Sequence, residues 1–174
     1  AVAIGADAGL TSQGNDSVAL GFGAGKSLQG PSSVAIGANS GSGQGGDNVA
    51  VGFGAGDNQQ AGAVAIGSNA GASSQSFDAV SIGIGAGASR QGRSAVAIGA
   101  FAAAVGQAAN SIVVNATGYP LDNEATGSCK IAPIRDREID EDPDEDEFLT
   151  PGHVLLYDNA TQEVIKDASG FLTA

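Results

Sequence analysis

The chain of 174 residues has no Trp and no Met, and its only aromatics are six Phe and two Tyr. A broad globular core is built from such large side chains, so one is excluded here. A thin core of small and β-branched residues remains open. No apolar run approaches the roughly 20 residues that a membrane-crossing helix needs. Neither a signal-peptide pattern nor a starting Met is present, which suits a mature or excised fragment. The first residue falls inside a repeat, so further coils are expected upstream.

Cys129 is the single cysteine and His153 the single histidine. No intramolecular disulfide can form, and the cysteine count does not mark a redox compartment. No Ser or Cys stands in the sequence context of a nucleophile, and no zinc-ligand spacing occurs. Gly21-Phe22-Gly23 and Gly83-Ile84-Gly85 lack the Lys-Ser/Thr of a phosphate loop. No cofactor and no catalytic residue is expected, and an enzyme is not the expected class. Positive charge is also scarce, since the net charge is −12. Residues 1–109 carry five acids and three bases, while 110–174 carry fourteen acids and four bases. Nucleic acid and anionic membrane surfaces are therefore poor partners.

Glycine is abundant instead, at 28 residues, and a phrase recurs with it. The phrase is Val-Ala-Ile-Gly, beginning at Val2, Val18, Val34, Val49, Val64, Val80 and Val96, with a degenerate copy at Ile112. The starts are 16, 16, 15, 15, 16, 16 and 16 residues apart. A period this regular is the mark of a solenoid, one coil per repeat. The alternation within each phrase predicts a short strand. Each coil has room for two short strands and two turns, which describes a flattened parallel β-roll.

Stacking puts like on like, about 4.8 Å per step. Hydrophobicity then assigns the core to two ladders. One is Val2, Val18, Val34, Val49, Val64, Val80 and Val96; the other is Ile4, Leu20, Ile36, Val51, Ile66, Ile82 and Ile98. The opposite strand face carries Ala3, Ala19, Ala35, Ala50, Ala65, Ser81 and Ala97, preceded by Ala or Ser and once by Asn48. Such small residues suggest close approach by another backbone. The reading places this face at an oligomer interface, most simply in a parallel homotrimer, since a thin roll buries little on its own. A glutamine also recurs as Gln13, Gln29, Gln44, Gln60, Gln75, Gln91 and Gln107, either as an amide ladder or as a polar turn residue.

A second period is superimposed. Phe22, Phe53 and Ile84 follow the Gly of alternate coils, 31 residues apart, where the other coils have Ala6, Ala38, Ser68 and Ala100. The reading takes this as two-coil packing, a large side chain covering a small one.

The repeat fades beyond Ala102-Ala103-Ala104-Val105, and Asn115 replaces the Gly. The division expected is a β-roll domain over 1–118 and a small β-rich cap or junction domain over 119–174. Within the latter, Ile131-Ala132-Pro133-Ile134 reads as an edge strand. Val154–Tyr157 and Gln162–Lys166, flanking Asp158-Asn159-Ala160-Thr161, read as a hairpin. In the segment 136–147, nine of twelve residues are acidic. It reads as a solvated loop, with Asp140, Asp142, Asp144 and Asp146 as weak candidates for Ca²⁺. Glycosylation sequons begin at Asn15, Asn115 and Asn159.

Ser33-Val34-Ala35-Ile36-Gly37 resembles the head repeats of trimeric autotransporter adhesins of the YadA-like type, over about residues 1–117. The resemblance implies a left-handed parallel β-roll, trimeric, with the small-residue strand near the axis. The coils here are longer than is usual for that family. A likeness over nearly the whole chain is to repeat fibres of bacteriophages and of large DNA viruses. It rests on Asn110-Ser111-Ile112-Val113-Val114-Asn115-Ala116-Thr117-Gly118, then Ala132-Pro133-Ile134-Arg135, then Leu155–Val164. It implies an extracellular, non-enzymatic fibre or adhesin segment on a virion or cell surface, contacting host glycan or protein. A structural filament subunit and an ice-binding solenoid using the flat Ala/Ser face are the alternatives.

Overall fold

The computed structural model describes residues 1–133, 155–158 and 163–166. These residues contain strands and turns and no helix. Seven strands of three residues carry the repeated phrase: β1 (Val2–Ile4), β2 (Val18–Leu20), β3 (Val34–Ile36), β4 (Val49–Val51), β5 (Val64–Ile66), β6 (Val80–Ile82) and β7 (Val96–Ile98). Next come β8 (Ala102–Gln107), β9 (Ile112–Asn115), β10 (Leu121–Asn123) and β11 (Cys129–Ala132). The main sheet runs β1 to β7, then β9 and β11, all parallel and in register. Val2 pairs with Val18, Ala3 with Ala19 and Ile4 with Leu20, and this pattern repeats up the stack. The chain is a β-solenoid of about eight coils, as the period implied.

Backbone hydrogen bonds join the coils all round their circumference. The Val2 N–H donates to the Ser17 carbonyl on the strand side, and the Thr11 N–H donates to Lys26 on the return wall. A tight turn separates the two walls in every coil. In the second coil the Ala24 N–H reaches the Gly21 carbonyl at 3.3 Å. The third residue of this turn has positive φ throughout, between 54° and 62°, at Asp7, Gly23, Asn39, Gly54, Asn69, Gly85 and Phe101. That backbone region favours Gly, Asn or Asp, which six of the seven positions supply.

The strand-end glycines are fixed by stacking. A Cβ on Gly52 would lie 2.5 Å from the Gly67 carbonyl oxygen, and Gly52 itself has φ 135°. No other residue fits such a position.

The core is the reverse of the one that hydrophobicity assigned. Ala19, Ala35, Ala50, Ala65, Ser81 and Ala97 are fully buried inside their own coils. So are the residues before the strands, among them Ser33, Asn48, Ala63, Ala79 and Ala95. Val113 is the one larger apolar side chain to join the alanines of the described core. The Val and Ile ladders point outward: Val2 is 50% exposed, Ile4 59%, Leu20 41%, Ile66 39%, Ile82 38% and Ile98 39%. Val18, Val34, Ile36, Val49, Val51, Val64, Val80 and Val96 are partly exposed. The reason is thickness. A coil this short brings its return wall directly against the strand, so that a Cβ on Gly56 would meet the Ala50 Cβ at 2.7 Å. Only Ala or Ser fits there. The small residues do mark close approach of another backbone, and that backbone is the coil's own return wall. Enclosed at 0% exposure within one chain, these six are not the interface; Ala3, in the first coil, is exposed.

The solenoid also runs past the boundary expected at 118. β11 pairs with β9 in parallel register, Cys129 with Ile112 and Ala132 with Asn115. β10 pairs with β8. Residues 119–132 are thus a further coil rather than the start of a separate cap, and Ala1–Arg135 form one compact unit. In the second unit, Asp136–Ala174, β12 (Leu155–Asp158) and β13 (Glu163–Lys166) form the expected antiparallel hairpin. The acidic run 136–147 and its candidate Ca²⁺ carboxylates lie outside the described residues.

Candidate functional site

Inside the coils runs a column of buried amides. Gln29, Gln44, Gln59, Gln75, Gln91 and Gln107 are each at most 5% exposed. The member in the fourth coil is Gln59, not Gln60, which is exposed. Each glutamine of the first six coils has its Oε1 against a glycine of its own coil: a Cβ on Gly25 would lie 2.6 Å from Gln29 Oε1, and one on Gly41 2.7 Å from Gln44 Oε1. This explains the Ala-Gly and Gln of each repeat as one device. The Ala fills the interior beside the strand, the Gly makes room, and the Gln amide occupies it.

Coil length sets whether the amide reaches across its own coil; Gln91 Nε2 also donates along the axis, to Gln107 Oε1 at 3.2 Å. In the sixteen-residue coils the amide N–H₂ donates across the coil. Gln29 reaches Val18 O at 2.9 Å and Ser33 O at 3.3 Å, and Gln91 and Gln107 do the same with their own Val and following residue. The two shorter coils lack one residue between the Gly and the Gln. There the amides run along the axis, Gln44 Nε2 to Gln59 Oε1 at 2.9 Å and Gln59 Nε2 to Gln75 Oε1 at 2.6 Å. Gln29 Oε1 and Gln44 Oε1 are left buried with no donor. The corresponding oxygen of Gln91 has one, because Ser81 replaces the strand Ala and donates its hydroxyl. Asn123, fully buried, continues the column in the last coil, with Nδ2 donating to Ile112 O and Ser128 O.

The two-coil period packs differently from the expectation. Phe22, Phe53 and Ile84 stay 57%, 58% and 58% exposed. The interlocking lies one residue later. Asn39 leans over Gly23 and Asn69 over Gly54, each side-chain oxygen 2.7 Å from where a glycine Cβ would be. Phe101 covers Gly85 in the same way.

Chemistry-bearing groups are sparse. No group of three His, Cys, Asp or Glu side chains comes together among the described residues. Asp57 has its carboxyl raised above the usual carboxylate range by burial, partly offset by the hydrogen bond from the Asn58 backbone. Cys129 is exposed. Asn115 is almost fully buried, its Nδ2 donating to Ala100 O and Tyr119 O, so its sequon nitrogen is engaged in the fold.

What remains is one feature on the scale of the molecule: an unbroken outward stripe of Val, Ile and Leu. Its exposed surface amounts to several hundred Å², at the upper end of what a monomer leaves in one patch. Sequence reasoning found every residue of this stripe and placed it inside. Comparison with family models, curated proteins and solved structures returned no match.

Proposed function

We propose that this chain is a segment of a homotrimeric extracellular fibre, without enzymatic activity, that presents a multivalent surface for attachment to a host cell or substrate. The observation that carries the reading is the outward Val and Ile/Leu stripe, continuous over seven coils in strict register. An apolar area of several hundred Å² approaches what one partner contributes to a standard interface. In this reading the stripe faces the neighbouring copies, in place of the alanines. Association then supplies the apolar burial that an alanine-filled roll lacks. The threefold order comes from the resemblance to trimeric adhesin heads. Three copies present every outer feature three times, so that weak contacts add through avidity.

Absolute mass by light scattering across a dilution series tests this. A stable threefold mass is expected. A monomer at all concentrations would overturn it, and open-ended assemblies would favour the filament subunit instead. The ice-binding alternative relied on the Ala/Ser face, which is enclosed.

A further inference from the structure

Phe22, Phe53 and Ile84 are among the most exposed large apolar side chains of the coils. Each is the second residue of the turn that directly follows an outward strand, two positions beyond Leu20, Val51 and Ile82. They therefore extend the outward stripe at its C-terminal edge. Each is more than half exposed, and the same turn position in the intervening coils holds Ala6, Ala38, Ser68 or Ala100. Neither the turn nor the strand pairing requires this alternation. The turn has the same hydrogen bond in every coil, 3.3 Å at Ala8 and Ala24 and 3.4 Å at Ser40 and Ala55. That bond leaves the size of the second turn side chain free.

We propose that these three side chains are seated across the seam between copies, each over the small turn residue of a coil above or below in the adjoining copy. The inference rests on the homotrimer reading. Parallel copies in register bring the same coil of each chain to the same height. A large turn residue in every coil would then compete for one rung of about 4.8 Å. Alternation gives each Phe or Ile two rungs, and the Ala or Ser between leaves the hollow it enters. Interdigitating layers of large and small residues fill an interface at the density of a protein interior. The occupant of this surface is thus a second copy of the chain. The area argument that applies to the Val and Ile stripe extends to its edge.

The test is the concentration at which the assembly dissociates, by light scattering, for the parent and three variants. Phe22→Ala with Phe53→Ala is expected to raise that concentration at least tenfold, with the circular dichroism of the folded coils unchanged. Ala38→Phe, which fills the hollow, is expected to weaken association as well. Leu28→Ser removes a side chain that is 64% exposed but lies on the return wall, and is expected to leave association unchanged. If the parent is a trimer and the double variant dissociates at the parent's concentration, the seam assignment is overturned while the trimer stands. A monomeric parent overturns both.

Discussion

The inward and outward faces of each strand have the same backbone and opposite rules. Inward, Ala65 is enclosed by its own coil, and the opposing Gly71 would place a Cβ 3.1 Å from it. Outward, Ile66 one residue later is 39% exposed. Volume governs the first face, because interiors do not stretch to admit extra carbons. Exposure governs the second, where a side chain of any size fits. In a solenoid this thin, the larger residues are therefore the outer ones.

The contrast can be broken from either side. The largest effect is expected inside. Ala65→Leu adds three carbons where none fit and should cost about 3 kcal/mol or more, read as a fall in the denaturant midpoint. Next is the amide column. Gln75→Leu leaves Gln59 Nε2 without its acceptor and takes the amide donor from the Val64 and Ala79 carbonyls, the latter keeping the Val64 N–H. A loss of about 2 kcal/mol is expected, chiefly from the unpaired buried amide, by the same denaturant titration. A gain is expected from Ala19→Ser, which copies the Ser81 arrangement and offers a hydroxyl to the unpaired Gln29 Oε1. It should stabilise by about 1 kcal/mol, seen as a raised melting temperature; a loss would show that the cavity cannot take the oxygen.

The smallest effect belongs to Asp57. Its carboxyl is raised by burial, so the folded chain favours the protonated form. The ionised group therefore disfavours folding above the folded-state pKa, and the penalty disappears as pH falls through that value. Asp57→Asn should be slightly more stable than the parent at pH 7, and the difference should vanish on acidification. Melts in paired buffers check this.

Much of this architecture was legible, and the illegible part has a physical cause. The period, the strand phrase and the parallel register follow from like residues recurring at fixed spacing. The hairpin over Leu155–Asp158 and Glu163–Lys166 followed from apolar runs around a turn. The choice between faces did not follow, because the rule that places Val and Ile inside assumes room for them. The sequence did hold the contrary signal. A pair of small residues, Ala-Gly in five of the first six coils and Ser40-Gly41 in the other, coupled to a Gln describes an interior filled by one amide and two small residues. The coil end was misjudged for a related reason. Asn123 performs the role of a glutamine and Ile131 that of a strand Ile, in a segment without the Val-Ala-Ile-Gly phrase, so the repeat continued in structure after it had faded in spelling. The outward stripe was legible residue by residue, but not by orientation.

The inside-out assignment is tested most directly by one pair of variants, Ala65→Asp and Ile66→Asp, compared by circular dichroism melting. An inward alanine predicts that Ala65→Asp, which buries an unpaired charge, abolishes the cooperative β-sheet melt. An outward isoleucine predicts that Ile66→Asp keeps the folded spectrum and loses only the stability that association supplies. The opposite result, a folded Ala65→Asp and an unfolded Ile66→Asp, would return the Val and Ile ladders to the core and contradict the fold described above.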